Sequence, residues 1–280
     1  MPDPTDVSIA VEAAAFGVRD LALSKGGAHA IAGGSAVGTV VEAGVAAAEW
    51  LNRRVVVPRL NPCGECPYCR RGAVAGCVDG SELGVTAAGT LAPKIETKAR
   101  WLAPADGDLA LAAPTAAFLG DDGLLAYGLY CRAGVAAGEP VVCVGAGPRT
   151  AIVAAIARAK GAKVAVASSA DEFSSIDGEG FRDRPWRIFA LDGSQLASVP
   201  AGSSVALAGG AAIDLASAVA GGCSIVGGEA GHPDLLPELV ALAVRGAVEL
   251  SEIAEVVSGD IAAAAADVIG SGRVPVSLSD

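Results

Sequence analysis

The sequence predicts an α/β protein of two domains. One is β-rich and carries a cysteine lobe; the other is a shortened, doubly wound parallel sheet with helices. Three observations carry this expectation. A chain of 280 residues, at about 150 per domain, is two domains or one large one. Four of the seven cysteines crowd into residues 61–80, a Gly/Pro loop without periodicity. From about residue 109, short unbroken apolar runs alternate with helical patterns, as buried parallel strands and crossover helices do. With 52% hydrophobic and 18% charged residues, against a typical charged share of about 25%, the chain can fill two cores and is not disordered.

The elements follow in order. Residues 7–11 alternate, and 38–41 and 54–57 are β-branched runs between Gly-rich turns, so 7–60 reads as strands. Residues 140–144 (PVVCV) form a buried strand, 145–148 a turn, 150–160 an Ala/Ile helix ending at Gly161, and 163–167 a second strand. Further strands are expected at 186–191, 204–208 and 223–226, with a helical pattern at 235–244. The tail predicts a helix over 260–269 and a last strand over 273–278. The domains are expected at 1–108 with 246–280, and at 109–245.

Charge and hydropathy exclude other classes. A net charge of −11 and a pI near 4.7 leave no basic stripe for nucleic acid. Mean hydropathy is +0.50, yet the longest uncharged window, between Asp192 and Asp214, is interrupted by Gly, Ser and Pro200, so no membrane span is expected. The first residues, MPDPTD, lack the positive region and apolar core of a secretory leader. A cytoplasmic location is therefore expected, with cysteines as thiols or ligands rather than disulfides.

Cys63, Cys66, Cys69 and Cys77 form C-x2-C-x2-C-x7-C. Four thiolates on one short loop can close around a tetrahedral zinc ion, one per chain, and a closed all-sulfur shell leaves no position for substrate. That zinc would be structural. Cys131, Cys143 and Cys223 stand alone in apolar segments and read as small core residues. Residues 145–150, GAGPRT, follow a strand and open a helix, the context in which G-x-G-x-x-G seats a pyrophosphate. Gly145 allows the tight turn, Gly147 lets a phosphate approach, and Pro148 starts the helix. Arg149 can meet a phosphate or be a solvated turn residue, and Thr150 stands where a small residue is usual. The second strand ends in Ser168-Ser169 rather than in the acid that holds an NAD ribose, so Ser168 is the candidate there and NAD(P) is left unspecified.

Taken together, these segments resemble the medium-chain dehydrogenase/reductase family, the zinc-containing alcohol dehydrogenases. Residues 12–20, EAAAFGVRD, are similar to the family's EAAGICGTD, and 33–40, GGSAVGTV, to its GHExxGxV. Within the family, residues 50–72, 132–135 and 186–189 look most like the 6-hydroxycyclohex-1-ene-1-carbonyl-CoA dehydrogenases, which oxidise an alicyclic hydroxyl on a CoA thioester with NAD. The resemblance implies a GroES-like β-rich domain with the zinc lobe, then a Rossmann domain, then return of the tail. It also implies a catalytic zinc, and here the sequence departs. Gly17 and Gly34 stand where the family has a Cys and a His ligand, and only Asp121, aligned to the third ligand, keeps a donor. One carboxylate cannot replace three protein ligands. His29, in a Gly/Ala segment, and His232, before Pro233, do not supply the missing ones. Residues 170–185 replace a further strand and helix, so the sheet is expected to have five strands, with an edge beside the adenine pocket.

Two functions follow from the resemblance. One is NAD(P)-dependent hydride transfer on a small molecule without zinc, in which another group must stabilise the developing alkoxide. Asp121, Tyr127, Asp20 and Arg19 are the candidates; turn, cap, surface and packing roles are the plain alternatives for each. The other is a degenerate dehydrogenase that serves as a structural or regulatory subunit. Either would form a homo- or hetero-oligomer, the second with an intact paralogue.

Overall fold

A computed structural model of the chain describes residues 3–17, 19–21, 32–177, 181, 185–228, 230–246, 248, 255–258 and 276–279. Its contacts divide it into two compact units. One is Met1–Leu124 with His232–Gly246 and Leu250–Asp280; the other is Leu125–Gly231 with Ala247–Glu249.

In the first unit, β1 (Asp6–Phe16), β2 (Ser35–Ala43) and β3 (Arg54–Val57) are consecutive antiparallel neighbours. The short β4 (Leu60–Asn61) and β5 (Ser81–Glu82) pair with each other and bracket the cysteine lobe, which contains the one-turn α1 (Pro67–Arg70). β6 (Lys94–Lys98) pairs with the first half of β1, and β7 (Ala103–Pro104) with β3. The alternation at Val7, Ile9 and Val11 turns those side chains into a core shared with Val55, Val57, Leu91 and Ile95. Then α2 (Ala113–Phe118) leads into a π-turn, Leu119–Gly123. Helix α2 lies on β1 and β2 and is tied down by the Ser35 hydroxyl, which donates to the Ala117 carbonyl at 2.6 Å. That packing is why the first unit runs to Leu124 and not to the expected 108.

The second unit opens with α3 (Leu124–Ala133) and continues as β8 (Pro140–Val144), α4 (Pro148–Ala159), β9 (Lys163–Ala167), α5 (Ala170–Ser174), β10 (Arg187–Ala190), β11 (Gln195–Leu196), β12 (Ser204–Leu207), β13 (Ala212–Ile213), α6 (Leu215–Ala220) and β14 (Ser224–Gly227). Five strands form a parallel sheet in the order β14-β12-β10-β8-β9. β8 lies inside it and is buried at every position, which explains its lack of alternation. Beyond β9 no further strand follows among the described residues, as the shortened segment 170–185 predicts. Val142, Val144, Ile188 and Val205 fill one face with Phe173 and Trp186; each fully buried side chain of this kind contributes about 1.5–3 kcal/mol.

The chain then returns to the first unit through α7 (Leu236–Val244), whose Leu236, Leu239, Val240 and Ala243 are buried. This return comes at residue 232, earlier than the expected 246, because α7 packs against β7 and the π-turn. β15 (Glu255–Ser258) and β16 (Val276–Ser279) complete the first sheet, in the order β15-β16-β1-β2-β3-β7, with β16 antiparallel to the second half of β1. The expected helix over 260–269 and residues 273–275 of the expected last strand lie outside the described residues. Of the three solitary cysteines, Cys143 is buried in β8 as expected. Cys131 is exposed on α3 and Cys223 only half-buried, a correction that follows from the polar side of the helix and from β14 being an edge.

Candidate functional site

Three groups of residues carry chemistry. In the lobe, Pro67 at the first helical position and Cys66 at the N-cap start α1, so that the Cys66 sulfur accepts the Cys69 N–H at 3.5 Å. The Cys63 sulfur accepts the Cys66 N–H at 3.4 Å, and the Cys77 sulfur that of Cys63 at 3.3 Å. All four sulfurs lie within 4.8 Å of one another, the Cys66–Cys69 pair at 3.5 Å and Cys63–Cys69 at 3.9 Å. A zinc tetrahedron with Zn–S of about 2.3 Å has edges of about 3.8 Å. The cluster fits zinc. Backbone N–H groups of Glu65 and Cys66 lower the Cys63 thiol to about 7, while burial pushes Cys69 up to about 12. Trp101 anchors the lobe: its indole donates to the Pro62 carbonyl at 2.9 Å, with the Arg100 guanidinium over its ring. His232 packs edge-on to Trp101 and accepts the Asp234 N–H through Nδ1 at 3.1 Å, so it caps a turn. His29 lies outside the described residues.

The second group stands where the resemblance places a catalytic metal. Gly17 and Gly34 are there; a Cβ on Gly17 would meet Asp122 Oδ2 at 3.6 Å and Asp20 Oδ2 at 3.8 Å, while the space beside Gly34 is filled by Arg59, which follows β3. A Cβ on Gly34 would lie 2.0 Å from the Arg59 Cζ and 2.3 Å from Nη2. The position of a side chain at residue 34 is thus taken by a guanidinium. Arg59 is 3% exposed. Its Nη2 donates to Asp20 Oδ1 at 2.8 Å and to Asp121, which the π-turn presents; the Arg59 N–H donates to the Gly120 carbonyl at 3.0 Å. The other Asp20 oxygen accepts the Gly17 N–H at 2.9 Å. Burial alone would lower the Arg59 pKa, but the carboxylates of Asp121 and Asp20 outweigh it and hold the group charged. Burial pushes the Asp20 carboxyl above the usual carboxylate range against the pull of Arg59, and Asp121 adds to the rise. Two Arg59 donors, Nε and Nη1, are buried without an acceptor.

Of the sequence candidates, Asp20 and Asp121 therefore meet, through Arg59. Arg19 is an ion-pair partner of Glu82. Tyr127 is buried on α3 with its hydroxyl 3.3 Å from the Lys160 ammonium. Sequence reasoning missed Arg59; its signal was a lone cation directly after the apolar run VVVP. Among the described residues, the cysteine lobe alone gathers three or more groups able to ligate a metal.

The third group is the glycine turn between β8 and α4. Gly145 has φ +136° and Pro148 is the first helical residue, as the motif requires. Arg149 is buried with its guanidinium against Gly209. The N–H and hydroxyl of Thr150 both donate to one Asp192 oxygen, at 3.2 and 2.8 Å. A Cβ on Gly147 would lie 2.5–2.9 Å from that carboxylate. The room that the second glycine keeps open for a phosphate thus holds a carboxylate of the same chain. At the end of β9, the Ser168 N–H and hydroxyl donate to Glu172 at 2.7 and 2.8 Å, and Ser169 caps α5. An acid four residues on, Glu172, is thereby held against the end of the strand. Neither Asp192 nor Glu172 was singled out by the sequence pattern, because both arrive through tertiary or helical geometry.

Comparison with known proteins agrees with this architecture. Residues 3–107 match the alcohol dehydrogenase GroES-like domain. L-galactonate-5-dehydrogenase of Escherichia coli K12 is 36% identical over 114 residues, 41% of this chain and 32% of that protein. The match spans about a third of that relative's length. Among solved structures, galactitol-1-phosphate dehydrogenase from Escherichia coli is similar at a TM-score of 0.83 and 17% identity, covering all of this chain and 94% of the other. Acetophenone reductase from Geotrichum candidum in complex with NAD gives 0.75 and 19%, covering all of this chain and 91% of that one. Such identities speak for the fold. The chain therefore carries an alcohol dehydrogenase GroES-like domain over residues 3–107, and its fold is that of these solved dehydrogenase and reductase structures.

Proposed function

We propose that this chain is an NAD(P)-dependent oxidoreductase of the medium-chain dehydrogenase type that works without a catalytic zinc and keeps one structural zinc in its cysteine lobe. The observation that carries the reading is Arg59. A fixed positive charge, already paired with Asp20 and Asp121, stands in the space of the metal-ligating side chain. Its buried Nε and Nη1 donors are the groups able to stabilise charge on a substrate oxygen, in the role a Lewis acid has elsewhere. Burial raises the Asp20 pKa, while Arg59 pulls it down, so the guanidinium is what keeps both carboxylates in the cluster. A nicotinamide, when bound, would supply or take the hydride. Glu172, held at the end of β9, favours a free ribose hydroxyl and so NAD over NADP. Zn²⁺ would be held by Cys63, Cys66, Cys69 and Cys77.

An alicyclic acyl-CoA substrate rests on residues 50–72, 132–135 and 186–189 alone; the curated relative reported above acts instead on a sugar acid, by its name. A second reading, a degenerate dehydrogenase acting as a cytoplasmic subunit beside an intact paralogue, is favoured by the Asp192 carboxylate in the glycine turn. Metal analysis with a carbonyl-reduction assay decides. One zinc per chain together with NADH-dependent turnover that falls at least about tenfold in Arg59→Lys supports the oxidoreductase. A second zinc in the purified protein would refute the role given to Arg59, and one zinc without turnover favours the subunit.

A further inference from the structure

We propose that Asp192 is an intramolecular occupant of the pyrophosphate seat at the start of α4, so that a dinucleotide binds only when this carboxylate is displaced. The inference rests on the oxidoreductase reading and goes beyond it, because it concerns access to the cofactor site rather than the reaction.

Four observations in the second unit converge. The Asp192 carboxylate takes the N–H of Thr150, the third residue of a twelve-residue helix, together with the Thr150 hydroxyl. These donors, at the positive end of a helix dipole, are the ones an anion would use. The carboxylate also fills the space in front of Gly147, where any Cβ would collide with it at 2.5–2.9 Å. Its backbone supports the placement. Asp192 adopts φ +52° and Gly193 φ +79°, a left-handed pair that turns the chain at the end of β10. Asp is one of the few non-glycine residues to tolerate that region. Finally, Arg149, the turn's own cation, is buried with its Nη1 against Gly209 and close to the Asp192 backbone. An approaching pyrophosphate meets a like charge seated on its own donors.

The seat itself is intact beneath Asp192. Gly145, Gly147 and Pro148 keep the strand–turn–helix geometry, so removing the carboxylate opens the site rather than destroying it. Asp192→Gly suits the positive φ and deletes the side chain; Asp192→Asn keeps the shape and the acceptor but removes the charge.

The test is NADH titration of the whole chain, followed by the fluorescence of the bound nicotinamide, for the wild type and both variants. Asp192→Gly is expected to lower the NADH dissociation constant about tenfold or more, because a like charge is removed from the phosphate position. Should that variant fail to fold by far-UV circular dichroism, Asp192→Asn carries the same expectation. Equal, tight binding by wild type and variant overturns the proposal and leaves the oxidoreductase reading standing. Absence of binding by both overturns the proposal and that reading together.

Discussion

Arg59 and Asp192 do similar work at opposite charge. Each side chain enters space that a glycine leaves open, Gly34 for the guanidinium and Gly147 for the carboxylate. On the proposed reading, a cation stands in for a cation and an anion for an anion. The energetic consequences differ. Arg59 is buried with two carboxylates against it, so removing it strands negative charge in a low-dielectric interior. Arg59→Met should destabilise the fold by about 3–5 kcal/mol, read from urea denaturation, and adding Asp20→Asn and Asp121→Asn should recover much of the loss. Glycine at 17 and 34 predicts the loss of ligands from sequence. It says nothing about what fills the gap, because Arg59 lies 25 positions further on and is brought there by the turn after β3. Among thiols, burial pushes Cys143 up to about 12, while Cys131 is exposed. In the folded protein at pH 8, iodoacetamide is expected to label Cys131 and spare Cys143, as peptide mass spectrometry would show; equal labelling would contradict the packing of β8.

At the scale of the element, the cysteine lobe is the part most legible in the sequence and least supported by packing. One α-helical turn, a 3-10 turn at Val74–Gly76 and the two-residue pairing of β4 with β5 are its regular structure. Sulfur geometry therefore has to hold it, and zinc binding there is folding energy. Cys66→Ser removes both a ligand and the sulfur that caps α1. If the lobe holds zinc, the expected result is loss of that metal, a fall in Tm and faster proteolysis within residues 61–80; an unchanged Tm and metal content would refute the lobe assignment. The parallel sheet was equally readable, since 140–144 and 163–167 are strands with the expected bounds. Among the described residues no strand pairs with its β9 edge, and the short α5 follows β9 directly. Here sequence reasoning did not find Glu172, which the helical turn after Ser169 swings back onto Ser168. Helices α2 and α7 were assigned to the wrong unit, because an apolar helical pattern does not state which sheet will bury it.

For the whole molecule, charge sets the pH response. Glu139 is held below its ordinary value of 4.5 by hydrogen bonds from Arg187, and Asp106 below 3.8 by Arg53. Below those ordinary values the unfolded chain binds protons that the folded chain still refuses. The stabilisation is therefore complete above about pH 5 and is lost as pH falls through the ordinary values toward the lowered ones. Asp20 acts in the other direction. Its raised pKa gives full stabilisation at acid pH that is lost as pH rises through the folded value. Tm should thus fall below about pH 4.5, more gently in Glu139→Gln, when followed by calorimetry in buffers of constant ionic strength. A Tm that rises on acidification through this range would show that the buried Asp20 cluster outweighs the two surface pairs.

The sequence by itself determined what depends on local order: the four-thiol lobe, the strand–turn–helix at 140–160, the five-stranded sheet and the absence of metal-ligating side chains at residues 17 and 34. Each is written in spacing, because short loops and backbone periodicity place such residues with little help from the rest of the chain. Tertiary structure alone decided what lies against Gly34 and Gly147. Arg59 reaches residue 34, and Asp192 reaches Thr150 42 positions earlier, because sheet pairing and strand ends bring distant side chains together, and burial then obliges each charge to find its counterpart.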